Sequence, residues 1–131
     1  MYLITKDEIN SIAFTTAINP NIIKDADIMQ VENYILKLTN QTIYDGMKNN
    51  TPDYAELLND YVKPYMAYAI KVLTLNNTLA DTGLTGDEIY SIKQGIRSAV
   101  FNKNHHFSYL SNYLFSNYGI PRKSISGFII S

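Results

Sequence analysis

Residues 61–72 read YVKPYMAYAIKV, which sets a proline inside an otherwise unbroken helical pattern. Upstream, Thr51-Pro52-Asp53 has the order of a helix start: a hydroxyl cap, a proline where a missing N–H costs nothing, and a first-turn acid. From there apolar residues recur at Tyr54, Leu58, Tyr61, Tyr65, Tyr68, Val72, Leu75 and Leu79, in alternating steps of four and three. That spacing is one face of a long helix. Val62, Met66, Ala69 and Leu73 widen the face to roughly half the cylinder, and Glu56, Asp60, Lys63 and Lys71 take the other half. Pro64 projects to the edge of the polar half, where a proline removes a backbone bond and bends the helix at its solvent side. The stretch predicts a bent, half-buried helix with its tyrosines turned inward.

Other helices are spelled out on both sides of it. Thr5-Lys6-Asp7-Glu8 is a capping box, flanked by Ile4 and Ile9 at hydrophobic-staple positions, and it predicts a short helix over about residues 6–14. Asn19-Pro20 restarts the chain. Ile28, Val31, Ile35 and Leu38 then mark a second helical face, and after a break at residues 39–41 the pattern resumes through Ile43, Tyr44 and Met47. Residues 48–50 read as a loop, and residues 76–82 as a second one. Thr85-Gly86-Asp87-Glu88 repeats the capping box and opens the last helix, whose face runs Ile89, Ile92, Ile96, Val100, Phe107, Leu110 and Leu114. Its middle, residues 102–106 (NKNHH), is a weak point where a kink or break is expected. Gly119 and Pro121 stop it. The fold class is therefore all-α: a small bundle of four to five helices over residues 1–119, with a short extended tail over residues 120–131.

Composition narrows the function. One domain fits in 131 residues, and a chain of this length buries about two-thirds of its extended surface. Eleven basic residues against twelve acidic ones give a net charge of −1, without the basic excess that neutralises phosphates. Cysteine is absent, which excludes disulfides, thiolate zinc sites and a cysteine nucleophile and suits a reducing compartment. No apolar run approaches bilayer length, and the N-terminus carries acids where a secretion signal carries bases. No membrane partner is expected.

Catalytic chemistry has little to stand on. His105 and His106 are adjacent, so on a helix they point about 100° apart and share a metal poorly. The pairs Asp7-Glu8 and Asp87-Glu88 both follow a capping threonine, where acids serve helix starts. Gly83 and Gly86 sit in no phosphate-binding loop, and no serine sits in a nucleophile elbow. No enzyme and no cofactor or metal is expected.

Two features point to protein contacts. Tyr61, Tyr65, Met66 and Tyr68 concentrate aromatic and soft apolar surface around Pro64, and tyrosine suits interfaces because it buries area while keeping a wet hydroxyl. Beyond the last helix stop, Arg122 and Lys123 precede Ile125, Phe128, Ile129 and Ile130. Such a terminus either packs back on its own helices or adds to a neighbour. These ten residues form the expected interface set.

The segments LITKDEI, ADIMQVENYILKLTNQTIYDGM, DYVKPYMAYAIKVLTL and YLSNYLFSNYGIP, in that order, resemble the head–tail connector (neck adaptor) proteins of tailed bacteriophages. The resemblance covers most of the chain and rests on helix order and pattern. It implies a homo-oligomeric ring, commonly dodecameric, stacked on the portal protein and presenting a docking surface to further neck or tail proteins. DNA would pass through the ring only as cargo, in the neck of the virion, with assembly in the host cytoplasm. The family supplies no motif that marks interface residues. The alternative expectation is a small helical binding or regulatory module that contacts nucleic acid through Lys63, Lys71, Lys93, Arg97 and Lys103.

Overall fold

The computed structural model describes residues 1–123, and residues 124–131 lie outside the described part of the chain. The architecture is all-α: α1 (Lys6–Ala13), α2 (Asp25–Leu38), α3 (Gln41–Lys48), α4 (Lys63–Leu79) and α5 (Gly86–Tyr118), with no strand among the described residues. Two 3₁₀ turns, Pro20–Ile22 and Pro52–Tyr54, take up the prolines expected at first helical positions. Both capping boxes form. Thr5 Oγ1 accepts from the Glu8 amide at 3.1 Å while the Thr5 amide donates to Glu8 Oε1 at 2.9 Å. Thr85 and Glu88 make the same exchange at the start of α5.

Pro64 is accommodated by more than a bend. Leu57–Val62 forms a π-helical turn, and the Lys63 amide donates to the Leu58 carbonyl, five residues back instead of four. In α geometry the Pro64 ring would press on the Asp60 carbonyl and leave it without a donor. The wider turn relieves that contact, and it does so where Asn59 and Asp60 are exposed and water reaches the backbone.

α4 is the axis of the bundle. α1, α2 and α5 all pack against it, and α5 also packs on the π turn. Met66, Ala67, Ala69, Ile70 and Val72 of α4 are fully buried, together with Ile9, Ile28, Val31 and Ile35 from the N-terminal helices and Leu110 and Leu114 from α5. The staple residues Ile4 and Ile9 are both in this core.

Three local expectations fail. The Thr51 hydroxyl, expected as a cap, makes no cap hydrogen bond to the turn that Pro52 opens. The loop expected over residues 76–82 starts only after Leu79, because Asn77 Nδ2 donates to Asp27 Oδ2 at 2.8 Å and ties the last turn of α4 to the first turn of α2. The break expected over residues 102–106 is absent: α5 runs for 33 residues, about 50 Å. Lys103 lies on the buried stripe of α5 between Ala99 and Phe107, and His106 stacks on Tyr68 with the rings 9° from parallel. Long polar side chains thus supply apolar surface where the residue names suggest none. The helix ends at Gly119, at φ 69°, with the Ile120 amide donating to the Leu114 carbonyl.

Candidate interaction surface

An inner seam of aromatic pairs in antiparallel register runs between α5 and the stretch that leads from the Pro52–Tyr54 turn through the π turn into α4. Tyr54 stacks on Tyr118 at 5.9 Å between ring centres, Tyr61 on Tyr113 at 4.1 Å, and Tyr65 tilts against Phe107 at 5.7 Å. Tyr68 completes the row against His106 at 5.3 Å. Burial drives the Tyr65 hydroxyl well above the ordinary phenol range. The Tyr113 hydroxyl is pushed up to about 12, by burial first and then by its hydrogen bond to the Glu56 carboxylate. These rings are satisfied within the chain.

That seam revises the expected interface set. Tyr65 and Met66 are 3% and 0% exposed, so the subunit's own core holds them and neither can meet a partner. Tyr61 and Tyr68 are half-buried under α5, and the Tyr68 hydroxyl donates to the Ile12 carbonyl at 3.3 Å. Arg122 and Lys123 are exposed but fold back on α5: Arg122 Nε donates to Asn112 Oδ1 at 2.8 Å, its guanidinium lies 4.3 Å from the Phe115 ring centre, and the Lys123 amide donates to Ser111 Oγ. Ile125, Phe128, Ile129 and Ile130 lie outside the described residues.

Another surface carries bare aromatic area. Tyr90, Gln94, Arg97, Phe101, His105, Ser108, Asn112 and Phe115 follow one line along α5 in steps of three and four, on the side away from Ala99, Phe107 and Leu110. Phe101 is 69% exposed, Tyr90 66% and Phe115 45%. Tyr109, at the edge of the line, is 49% exposed. Phe101 stacks on His105 at 6.0 Å, and the Tyr109 hydroxyl is 2.8 Å from His105 Nε2, so the rings form a ladder on the outer face. The line holds no Asp, Glu or Lys, and it holds one Arg. Aromatic residues and arginine are enriched at protein interfaces, and lysine and acids are depleted. The sequence carried a signal for this face: Tyr90, Phe101 and Phe115 fall opposite the Phe107-Leu110-Leu114 stripe.

The basic set expected to touch nucleic acid does not form one patch. Lys103 is 3% exposed, and burial lowers its pKa. Lys63 Nζ bonds Glu8 Oε2 at 2.6 Å, and Lys71 Nζ donates to the Ala13 carbonyl beside the Phe14 ring. Lys93 and Arg97 alone of the five are exposed.

The remaining polar cluster ties the N-terminus down. The buried Glu32 carboxylate accepts from the Leu3 amide at 2.5 Å, from the Tyr44 hydroxyl at 2.6 Å and from Lys48 Nζ at 3.0 Å, and Lys48 also reaches the Met1 carbonyl. Each oxygen is partnered, as a buried carboxylate requires. A groove of about 220 Å³ beside it is lined by Tyr2, Thr5, Asn50 and both lysines, already paired with Glu32 and Glu8. Among the described residues no three His, Asp or Glu side chains are placed to hold a metal ion, and no helix is long and apolar enough to cross a membrane.

No protein-family model, curated protein or solved structure matches the chain.

Proposed function

We propose that the chain is a structural assembly subunit of the head–tail connector kind, working by packing against copies of itself and against a portal ring. The carrying observation is the outer face of α5, where a bundle that pairs the tyrosines around Pro64 with rings of α5 still leaves Tyr90, Phe101, Tyr109 and Phe115 in water. Exposed aromatic surface concentrated on one side of a folded subunit points to an interaction site. The all-α fold, with one helix of about 50 Å as a strut, suits a ring wall in which contacts are made between rigid helices. A net charge of −1 suits a channel along which DNA slides without being gripped. On this reading Arg122, Lys123 and the residues Ile125, Phe128, Ile129 and Ile130 add a second contact, to a neighbouring subunit or the portal.

The test is assembly on a portal. Mixed with purified portal rings, the protein is expected to give a portal-bound ring by mass photometry and cryo-EM. A monomer indifferent to the portal sinks the reading. Removing residues 124–131 is expected to weaken assembly while leaving the helical circular-dichroism signal unchanged.

A further inference from the structure

We infer that in the unassembled chain residues 124–131 turn back along α5 and seat in the furrow between α5 and α2, over Tyr65. The chain is already on that course where its described part ends. Past the Gly119 stop, the Ile120 amide donates to the Leu114 carbonyl, Arg122 reaches Asn112 and Phe115, and the Lys123 amide donates to Ser111 Oγ at 3.2 Å. Each later residue bonds an earlier turn of α5, so the backbone runs antiparallel to the helix it has just left. Ser111, Phe107 and Asn104 follow in steps of four and three, the spacing of one helix side. Ser111 and Phe107 are buried, so this path leads inward and not across Phe101.

The furrow has two walls and an aromatic floor. α2 packs on α4 and α3, and α5 packs on α4 and the π turn, so α2 and α5 rise side by side from α4. Tyr65 lies between them: its ring meets Tyr34 of α2 at 6.4 Å and Phe107 of α5 at 5.7 Å. From Ser111 to Asn104 is about 10 Å along the helix, and eight extended residues span about 26 Å, so the segment passes Tyr65 with length to spare.

The chemistry fits the seat. Ile125, Phe128, Ile129 and Ile130 supply apolar surface, and residues 124–131 bring no charged side chain to an aromatic floor. Asn104 Oδ1 is buried and has no hydrogen-bond partner among the described residues. A buried amide oxygen needs a donor, and the backbone amides of a segment passing alongside provide one.

The seat leaves the outer face of α5 uncovered and does not need the connector reading. On that reading the segment must quit the furrow to reach a neighbour or the portal, so the furrow holds the tail contact back until assembly.

Two measurements without portal test the seat. The chain has no cysteine, so Ser126→Cys takes a single nitroxide. The amide NMR signals of Tyr34, Asn104 and Phe107 are expected to lose most of their intensity. That of Asp87, about 25 Å along α5 from Asn104, is expected to keep its own. A mixture of spin-labelled chain with isotope-enriched, unlabelled chain is expected to show no such loss, because the contact lies within one molecule. Ending the chain at residue 123 is expected to lower the urea midpoint by about 1 M, once the cost of ordering eight residues is set against their apolar burial. Loss centred on Tyr90 and Phe101, loss in the mixture, or a midpoint unmoved by the truncation would each overturn the seat. Indifference to the portal would leave it standing and sink only the connector reading.

Discussion

The rings around Pro64 and the rings on the outer side of α5 are used in opposite ways. Around Pro64, Tyr61, Tyr65 and Tyr68 each meet a ring of α5 and turn inward. On the far side of α5, Tyr90, Phe101 and Phe115 meet water. Residue type does not separate the two sets, since tyrosine stands in both. What separates them is whether a second helix offers rings at matching spacing on the same side. An aromatic stripe is core when the chain itself supplies the complement, and an interface candidate when it does not.

Substitutions can break this contrast, the inner set first. Met66→Ala, at a fully buried site beside Tyr65, is expected to cost about 3 kcal/mol, read from the urea midpoint. An unchanged midpoint would mean the α4 core is not packed as described. Tyr113→Ala removes the partner stacked on Tyr61 at 4.1 Å and should cost about 1–2 kcal/mol. Thr85→Ala deletes the cap that starts α5 and should cost about 1 kcal/mol, on the order of a single cap.

Acid probes the same seam. His106 lies half-buried on Tyr68, and burial first, then the neighbouring His105, lowers its pKa below the ordinary 6.5. Between 6.5 and that depressed value the unfolded chain binds a proton that the folded chain does not. This contribution to stability is thus complete above pH 6.5 and is lost as the pH falls through the folded value. His106→Asn should flatten that part of the stability–pH curve, and an unaltered slope would remove His106 from the seam. Smallest of all, Phe101→Ala on the outer face should change the stability of the monomer by no more than about 0.5 kcal/mol. A larger loss would mean the outer ring is covered within the subunit and would erase the contrast.

Much of the fold was legible because it is written locally. The capping boxes at Thr5 and Thr85, the prolines at positions 20 and 52 and the glycine at 119 each act within a few residues, and each forms where expected. The misses come from longer range. Residues 102–106 look like a break until Tyr68 is placed under His106, and Asn77 looks like a loop residue until Asp27 is beside it. Tyr65 and Met66 read as surplus aromatic and apolar surface because nothing in their own segment shows that Phe107 lies across from Tyr65. The π turn escaped for another reason: four-and-three stepping assumes α geometry throughout, and the pattern around Leu58 and Tyr61 survives one residue of extra winding.

That extra residue is where the chain stores the room that Pro64 needs. Deleting Asn59 would turn the bond from the Lys63 amide to the Leu58 carbonyl into an ordinary four-residue one and leave Leu57 and Leu58 on the interior side. Pro64 would then collide with the turn before it. The spare residue works like an expansion joint, giving slack at one point so that the shaft on either side keeps its line.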